Sequence, residues 1–109
     1  MQVPNIAIRS GSNFLFKRHE DILHVSAAGS YCTLHLKNGD THTVARKLKD
    51  LESLLPDSFF RVHRSHIVNI SHISEIVQKD SLQLVLSDGK FVPITKENKK
   101  SLIANFNKI

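Results

Sequence analysis

Two dipeptides, Asn38-Gly39 and Asp88-Gly89, decide what this chain can fold into. Asn-Gly and Asp-Gly accept positive φ at little cost, so between alternating runs they mark tight β-hairpin turns. The runs are present on both sides. From Tyr31 to Lys37, Cys32, Leu34 and Leu36 fall on one face and Tyr31, Thr33, His35 and Lys37 on the other, the period of a half-buried strand. Thr41 to Val44 returns. Leu82, Leu84 and Leu86 alternate before the second turn, and Phe91, Val92 and Ile94 follow it. A chain cut into pieces this short builds small antiparallel sheets.

The remaining segments extend that pattern. Gln2 to Ser10 reads as a first strand, Ser10-Gly11-Ser12-Asn13 as a turn, and Phe14-Leu15-Phe16 as the return arm. Lys17 to Asp21 is a charged, solvated loop with no assigned function. Ile22 to Val25 is a strand that the small residues Ala27-Ala28-Gly29-Ser30 interrupt. The period changes between Arg46 and Leu55, where Leu48, Leu51, Leu54 and Leu55 share one helical face, and Pro56-Asp57 stops the helix. Thr95 is placed to cap a last helix. Its buried face holds Leu102, Ile103 and Phe106, and Lys96, Lys99 and Lys100 are exposed. The expected fold is β-rich, a sandwich of small sheets with two short helices. At 109 residues it is one domain.

The two halves echo each other. Leu34 to Arg46, LHLKNGDTHTVAR, aligns without gaps on Leu84 to Lys96, LVLSDGKFVPITK, and sets Arg46 opposite Lys96. Hairpin followed by helix is common enough to need no duplication, but the geometry puts a basic residue at the start of each helix.

The stretch Phe59 to Ile76 mixes β-branched and basic residues more densely than any other. Phe60, Val62 and Arg64 alternate with Arg61, His63 and Ser65, and the alternation breaks at Ser65-His66-Ile67-Val68. A bend there carries Arg64 and Ser65 to an exposed turn while apolar neighbours anchor it.

Composition narrows function. The net charge of +5 suits a nucleic-acid or anionic partner, and equally plain solubility. Cys32 is alone, so an intramolecular disulfide is impossible, and in a strand it reads as a small buried hydrophobe. No apolar window approaches the ~20 residues of a membrane helix, and no signal segment opens the chain. The expectation is a cytoplasmic domain. His63 and His66 lack a third ligand at familiar spacing, and His24, His35 and His42 belong on exposed strand faces or edges, so no metal is expected. Ser65 between two histidines makes no nucleophile–base arrangement, and no GxSxG, P-loop or GxGxxG occurs. No catalytic residue and no cofactor are assigned. Arg46, Lys47, Arg64, Lys96, Lys99 and Lys100 sit at loops or helix starts, where they can reach guanine O6 and N7 or phosphates. No long amphipathic helix is available to enter a groove, so loops must do the reading.

The run Phe-x-Arg-Val-His-Arg-Ser-x-Ile-Val-Asn, ending at Asn69, resembles the signature of LytTR-type DNA-binding domains of bacterial response regulators. The leucines of the first helix, the Ile73–Ile76 strand, Asp88-Gly89 and Pro93-Ile94-Thr95-Lys96 match in order. The resemblance covers residues 22–103. It implies an all-β, elongated sandwich of short antiparallel strands with small helices at its side. It also implies loops that enter successive major grooves of double-stranded DNA and bend it, and binding to paired direct repeats, with two protomers per site. Carried over residue by residue, it assigns DNA contacts to Ser30, Arg64 and Lys96. Many family members have a larger polar residue at the Ser30 position, and Lys96 replaces a frequent Arg. Arg46 and Lys47 match a basic segment for phosphates. His63 and Asn69 fall to structure, hydrogen-bonding the bent backbone near Ser65. Arg64 has a rival role, a surface ion pair with Asp57 or Glu75.

The combined expectation is a single LytTR-like domain over residues 1–109, with a core at 14–106. It acts as the output module of a two-component response regulator, with the receiver domain absent from this chain and no catalysis. The rival is a β-sandwich interaction module whose basic loops bind an acidic protein. DNA binding requires the basic residues to share an edge, whereas a protein interface requires an exposed apolar patch.

Overall fold

The computed structural model describes residues 3–109. Ten strands and two helices follow in the order β1 (Ile6–Ser10), β2 (Asn13–Lys17), β3 (Ile22–Ala28), β4 (Tyr31–Leu36), β5 (Thr41–Val44), α1 (Leu48–Leu54), β6 (Phe59–His63), β7 (His66–Asn69), β8 (Ile73–Gln78), β9 (Leu82–Leu86), β10 (Phe91–Pro93) and α2 (Lys96–Ile103). The first strand starts later than its sequence pattern suggests, and Gln2 lies outside the described residues. β3 runs through Ala27 and Ala28, so the break comes at Gly29-Ser30 rather than at the alanines. Both hairpin dipeptides turn the chain as expected, with Gly39 at φ 91° and Gly89 at φ 87°. The echo between the halves is visible in the turns. Asn38 Oδ1 accepts from the Asp40 N–H at 2.9 Å, and Asp88 Oδ1 accepts from the Lys90 N–H at 3.0 Å.

The strands form three antiparallel sheets: β1-β2, the five-stranded β5-β4-β3-β7-β6, and β10-β9-β8. The five-stranded sheet is central and covered on both faces. On one side, Ile22, Val25, Leu34, Leu36 and Ile67 pack with Ile8 of β1, Leu48 and Leu51 of α1 and Phe59. On the other, Leu23, Val62 and Val68 pack with Leu84, Leu86, Val92, Ile94 and Leu102. The molecule is therefore an all-β, three-layer assembly with helices at its sides. The strict alternation of β4 and the continuous apolar start of β3 reflect different degrees of this two-sided cover.

Asn69 fastens the entry of β3 to the exit of its neighbour β7. It is 2% exposed, and its amide nitrogen donates to the Ile22 carbonyl at 3.0 Å and the His19 carbonyl at 3.3 Å. Its oxygen accepts from the Ser71 N–H at 3.2 Å. It thus clamps the start of β3 to the end of β7, far from Ser65, and the expected bond to the Ser65 bend is not its role. Helix faces also differ from expectation. α1 is only seven residues long, so Leu54 falls in its last turn and is 63% exposed. Phe106 lies beyond α2 and is exposed.

The face of the central sheet opposite Leu34 is not solvent but the second core. His24 and His35, expected outside, stack there with ring centroids 4.0 Å apart and planes 4° from parallel. Both ring nitrogens of His24 and Nδ1 of His35 are buried and lack hydrogen-bond partners among the described residues. Burial pushes His24 down from 6.5 to about 3, and His35, His66 and Lys90 reinforce the shift while Asp88 opposes it. A histidine lowered in the folded state binds its proton only in the unfolded chain across that interval. Stability is then complete above about pH 6.5 and falls as pH drops toward about 3. His24 alone should remove ~2 kcal/mol between about pH 7.5 and about pH 5, with His35, His66 and His72 lowered in the same direction. Urea melts at both values check this, and His24→Leu should flatten the pH dependence. A parent curve that is already flat would contradict neutral burial of His24.

Candidate nucleic-acid interface

Four backbone segments converge at one end of the central sheet. Cys32 pairs with Val44, Ala28 with Tyr31, Ser26 with His66 and His63 with His66. The end of β5, the β3–β4 turn and the β6–β7 turn therefore lie side by side. The Ala27 N–H donates to the Ser65 carbonyl at 2.9 Å and locks two of the turns together. The Thr95 N–H donates to the Val62 carbonyl at 3.2 Å and brings the start of α2 to the same place. With strands ~4.8 Å apart, the edge from β5 to β6 is ~19 Å wide.

This edge brings together Ser30, Arg46, Lys47, Arg64 and Lys96. Arg46 and Lys47 follow β5 and are exposed, with Lys47 as the N-cap of α1. Ser30 is exposed in the β3–β4 turn behind Gly29. Arg64 is exposed at the tip of the β6–β7 turn. Lys96 is the exposed first residue of α2, whose N-cap Thr95 accepts from the Asn98 N–H at 3.0 Å. Arg46 lies two residues before its helix whereas Lys96 opens its own, so the two halves of the chain present their cations at different offsets. Among the described residues no carboxylate lies within ion-pair distance of Arg46, Lys47, Arg64 or Lys96. The ion pair of Arg64 with Asp57 or Glu75 does not form. Among the exposed large hydrophobics, Phe14 and Phe16 share the outer face of β2.

The Arg64 turn is built unlike the glycine turns at Gly11, Gly29, Gly39 and Gly89. A two-residue hairpin loop matches strand twist when its residues take positive φ, yet among the described residues no residue other than glycine does so. Side chains hold the turn instead. The Ser65 N–H donates to His63 Nδ1 at 3.2 Å, so that nitrogen carries a lone pair. Ser65 Oγ lies 2.9 Å from the same nitrogen and 3.0 Å from His66 Nδ1. The hydroxyl must then donate to His63 and accept from a protonated Nδ1 of His66. This is the bond from His63 to the bent backbone that the sequence pattern suggested. Arg61, which the sequence did not single out, adds a clamp. Its guanidinium donates to the Arg64 carbonyl at 2.7 Å and the His63 carbonyl at 3.3 Å, and pairs with Glu52 of α1 at 3.3 Å. A register shift between Arg61 and His63 in the β6–β7 ladder leaves room for it. Burial, and secondarily His63 and His35, lowers His66 and keeps it neutral.

Comparison with known proteins gives one consistent result. The family model described as the LytTr DNA-binding domain matches residues 13–107. The sensory transduction protein LytT of Bacillus subtilis is 31% identical over 101 residues, covering 89% of this chain and 41% of that protein. The transcriptional regulatory protein BtsR of Escherichia coli is 36% identical over 88 residues, covering 76% of this chain and 35% of that protein. The chain thus spans about two fifths or less of the length of these curated relatives. The solved LytTr DNA-binding domain of a Bacillus cereus response regulator superposes with a TM-score of 0.77 at 24% identity, over 95% of this chain and 96% of that one. That superposition establishes the fold.

Replacing His63 with Phe removes the acceptor for Ser65 and should cost ~1–3 kcal/mol. Amide hydrogen exchange should speed up at Ser65 beyond what global destabilisation accounts for. Unchanged local protection at Ser65 would show that the ring does not hold the turn.

Proposed function

The chain belongs to the LytTr DNA-binding domain family, and from that premise we propose that it is the sequence-specific, double-stranded-DNA-binding output domain of a transcriptional regulator. The observation that carries the specific reading is the single edge of exposed, unpaired cations. Arg64, on its braced turn, offers a planar fork to guanine O6 and N7. Ser30, one turn away, reads the neighbouring base or phosphate. Arg46 and Lys47 grip the backbone. Lys96 reaches the groove as a point charge with less base discrimination than Arg has. Residues 1–109 act as one domain, with the DNA-binding core at 14–106, and two copies occupy paired direct repeats. The setting is the cytoplasm, and the regulator relatives point away from catalysis.

The competing reading, an acidic protein partner, draws on Phe14 and Phe16. Those side chains are on β2, and Phe14 borders the same open groove as Ser30 and Arg46, so position alone does not choose between the readings. Salt separates the readings. Affinity for duplex DNA should fall on a log–log plot with a slope of ~−0.9 per phosphate neutralised. A flat plot removes the DNA reading at this edge. Arg64→Ala should cost ~1–3 kcal/mol and relax preference at one base position, while Lys47→Ala should weaken all sequences alike and flatten the slope by ~1. Lys96→Arg should sharpen preference for guanine at one position, with no change in melting temperature. Competition titrations against site variants, after selection of bound duplexes from a random pool, measure all of these.

A further inference from the structure

The segment matched by the family model starts at residue 13, which leaves β1 and the turn after it outside. That hairpin nevertheless reaches the DNA-facing edge. β2 ends at Lys17, and the chain turns at His19–Asp21 into the far end of β3. The hairpin tip at Gly11 therefore points back toward the β3–β4 turn. An open groove of about 1230 Å³ separates β1 from β5 and α1, and its walls include Arg9, Gly11, Ser30, Arg46, Lys47 and Asp50. We propose that Arg9 is a further DNA contact, taking a backbone phosphate beside those gripped by Arg46 and Lys47. The proposal rests on the DNA reading of the edge and extends it to a strand that the matched segment does not contain.

Charge selects the occupant. The groove carries three cations, Arg9, Arg46 and Lys47, against the carboxylate of Asp50. Among the described residues no carboxylate lies within ion-pair distance of Arg9. Arg9 is exposed, and its guanidinium carbon stands 4.7 Å over the Phe14 ring, directly across the β1–β2 ladder. Stacking of this kind restrains the long side chain and leaves the in-plane N–H donors free. A restrained, planar fork with no internal acceptor matches two oxygens of one phosphate.

The test uses the full chain and two probes, a random-sequence duplex and a duplex selected by the parent from a random pool. Arg9→Ala should weaken both by the same factor, roughly two- to tenfold. It should make the salt slope shallower by ~0.9, and Arg9→Lys should restore the slope. Melting curves of both variants should stay close to the parent, since the residue is exposed and its contact is a surface stack on Phe14. An unchanged slope overturns the proposal, and so does a loss confined to the selected duplex, which would make Arg9 a base contact. If the parent itself binds neither duplex with a salt-dependent affinity, the fault lies in the DNA reading of the edge, a result distinct from a silent Arg9.

Discussion

The central strand β3 has no side free for water along its first half. Ile22 and Val25 enter one core and Leu23 the other. A sheet apolar on both faces must be covered twice, and the rest of the chain does that work. The β1–β2 hairpin and α1 close one face, while β8, β9, β10 and α2 close the other. Removing either cover would expose a contiguous apolar surface far larger than a monomer tolerates. This two-sided demand also fixes the ends. With every strand of the central sheet antiparallel to its neighbours, alternate connections fall at the same edge, and that edge is where Ser30, Arg46, Arg64 and Lys96 emerge.

The Arg64 turn shows how polar groups are spent inside such a scaffold. Glycines relieve the turns at Gly11, Gly29, Gly39 and Gly89. Here the loop keeps Arg64 and Ser65, and three neighbours supply what backbone conformation does not: the imidazoles of His63 and His66 and the guanidinium of Arg61. Behind them the stacked pair of His24 and His35 fills space that an aliphatic side chain would fill more cheaply. The result is a loop whose carbonyls and hydroxyl are all engaged inward, so that only the Arg64 side chain is free to meet a partner.

Local signals made the strands legible. Tyr31 to Lys37 alternates, Asn38-Gly39 and Asp88-Gly89 turn, and Thr95 caps, because each of these is decided within a few residues. The loss of alternation at Ser65 also marked the Arg64 tip correctly. What stayed hidden depends on distant partners. The Asn69 amide bonds carbonyls 47 and 50 residues away, which no spacing in the sequence encodes. His24 and His35 read as solvent-facing because alternation reports two faces but not whether the second is covered. Leu54 and Phe106 kept the right period, but Leu54 falls in the last turn of α1 and Phe106 beyond the end of α2, and both stay exposed. The sequence does not single out Arg61, since two of its acceptors are backbone oxygens that exist only once the turn has formed.

The separation between tips and cores has a consequence for descent with modification. Ser30, Arg46, Arg64 and Lys96 are exposed, and the buried residues of both cores lie elsewhere in the chain. Surface changes of this kind usually alter stability by less than ~0.5 kcal/mol. A lineage can therefore exchange one tip residue at a time and drift to a new target sequence without passing through unfolded ancestors. The braced Arg64 turn is the exception. Its partners are shared with the scaffold, so the side chain at its tip is free to vary while the residues that aim it are not.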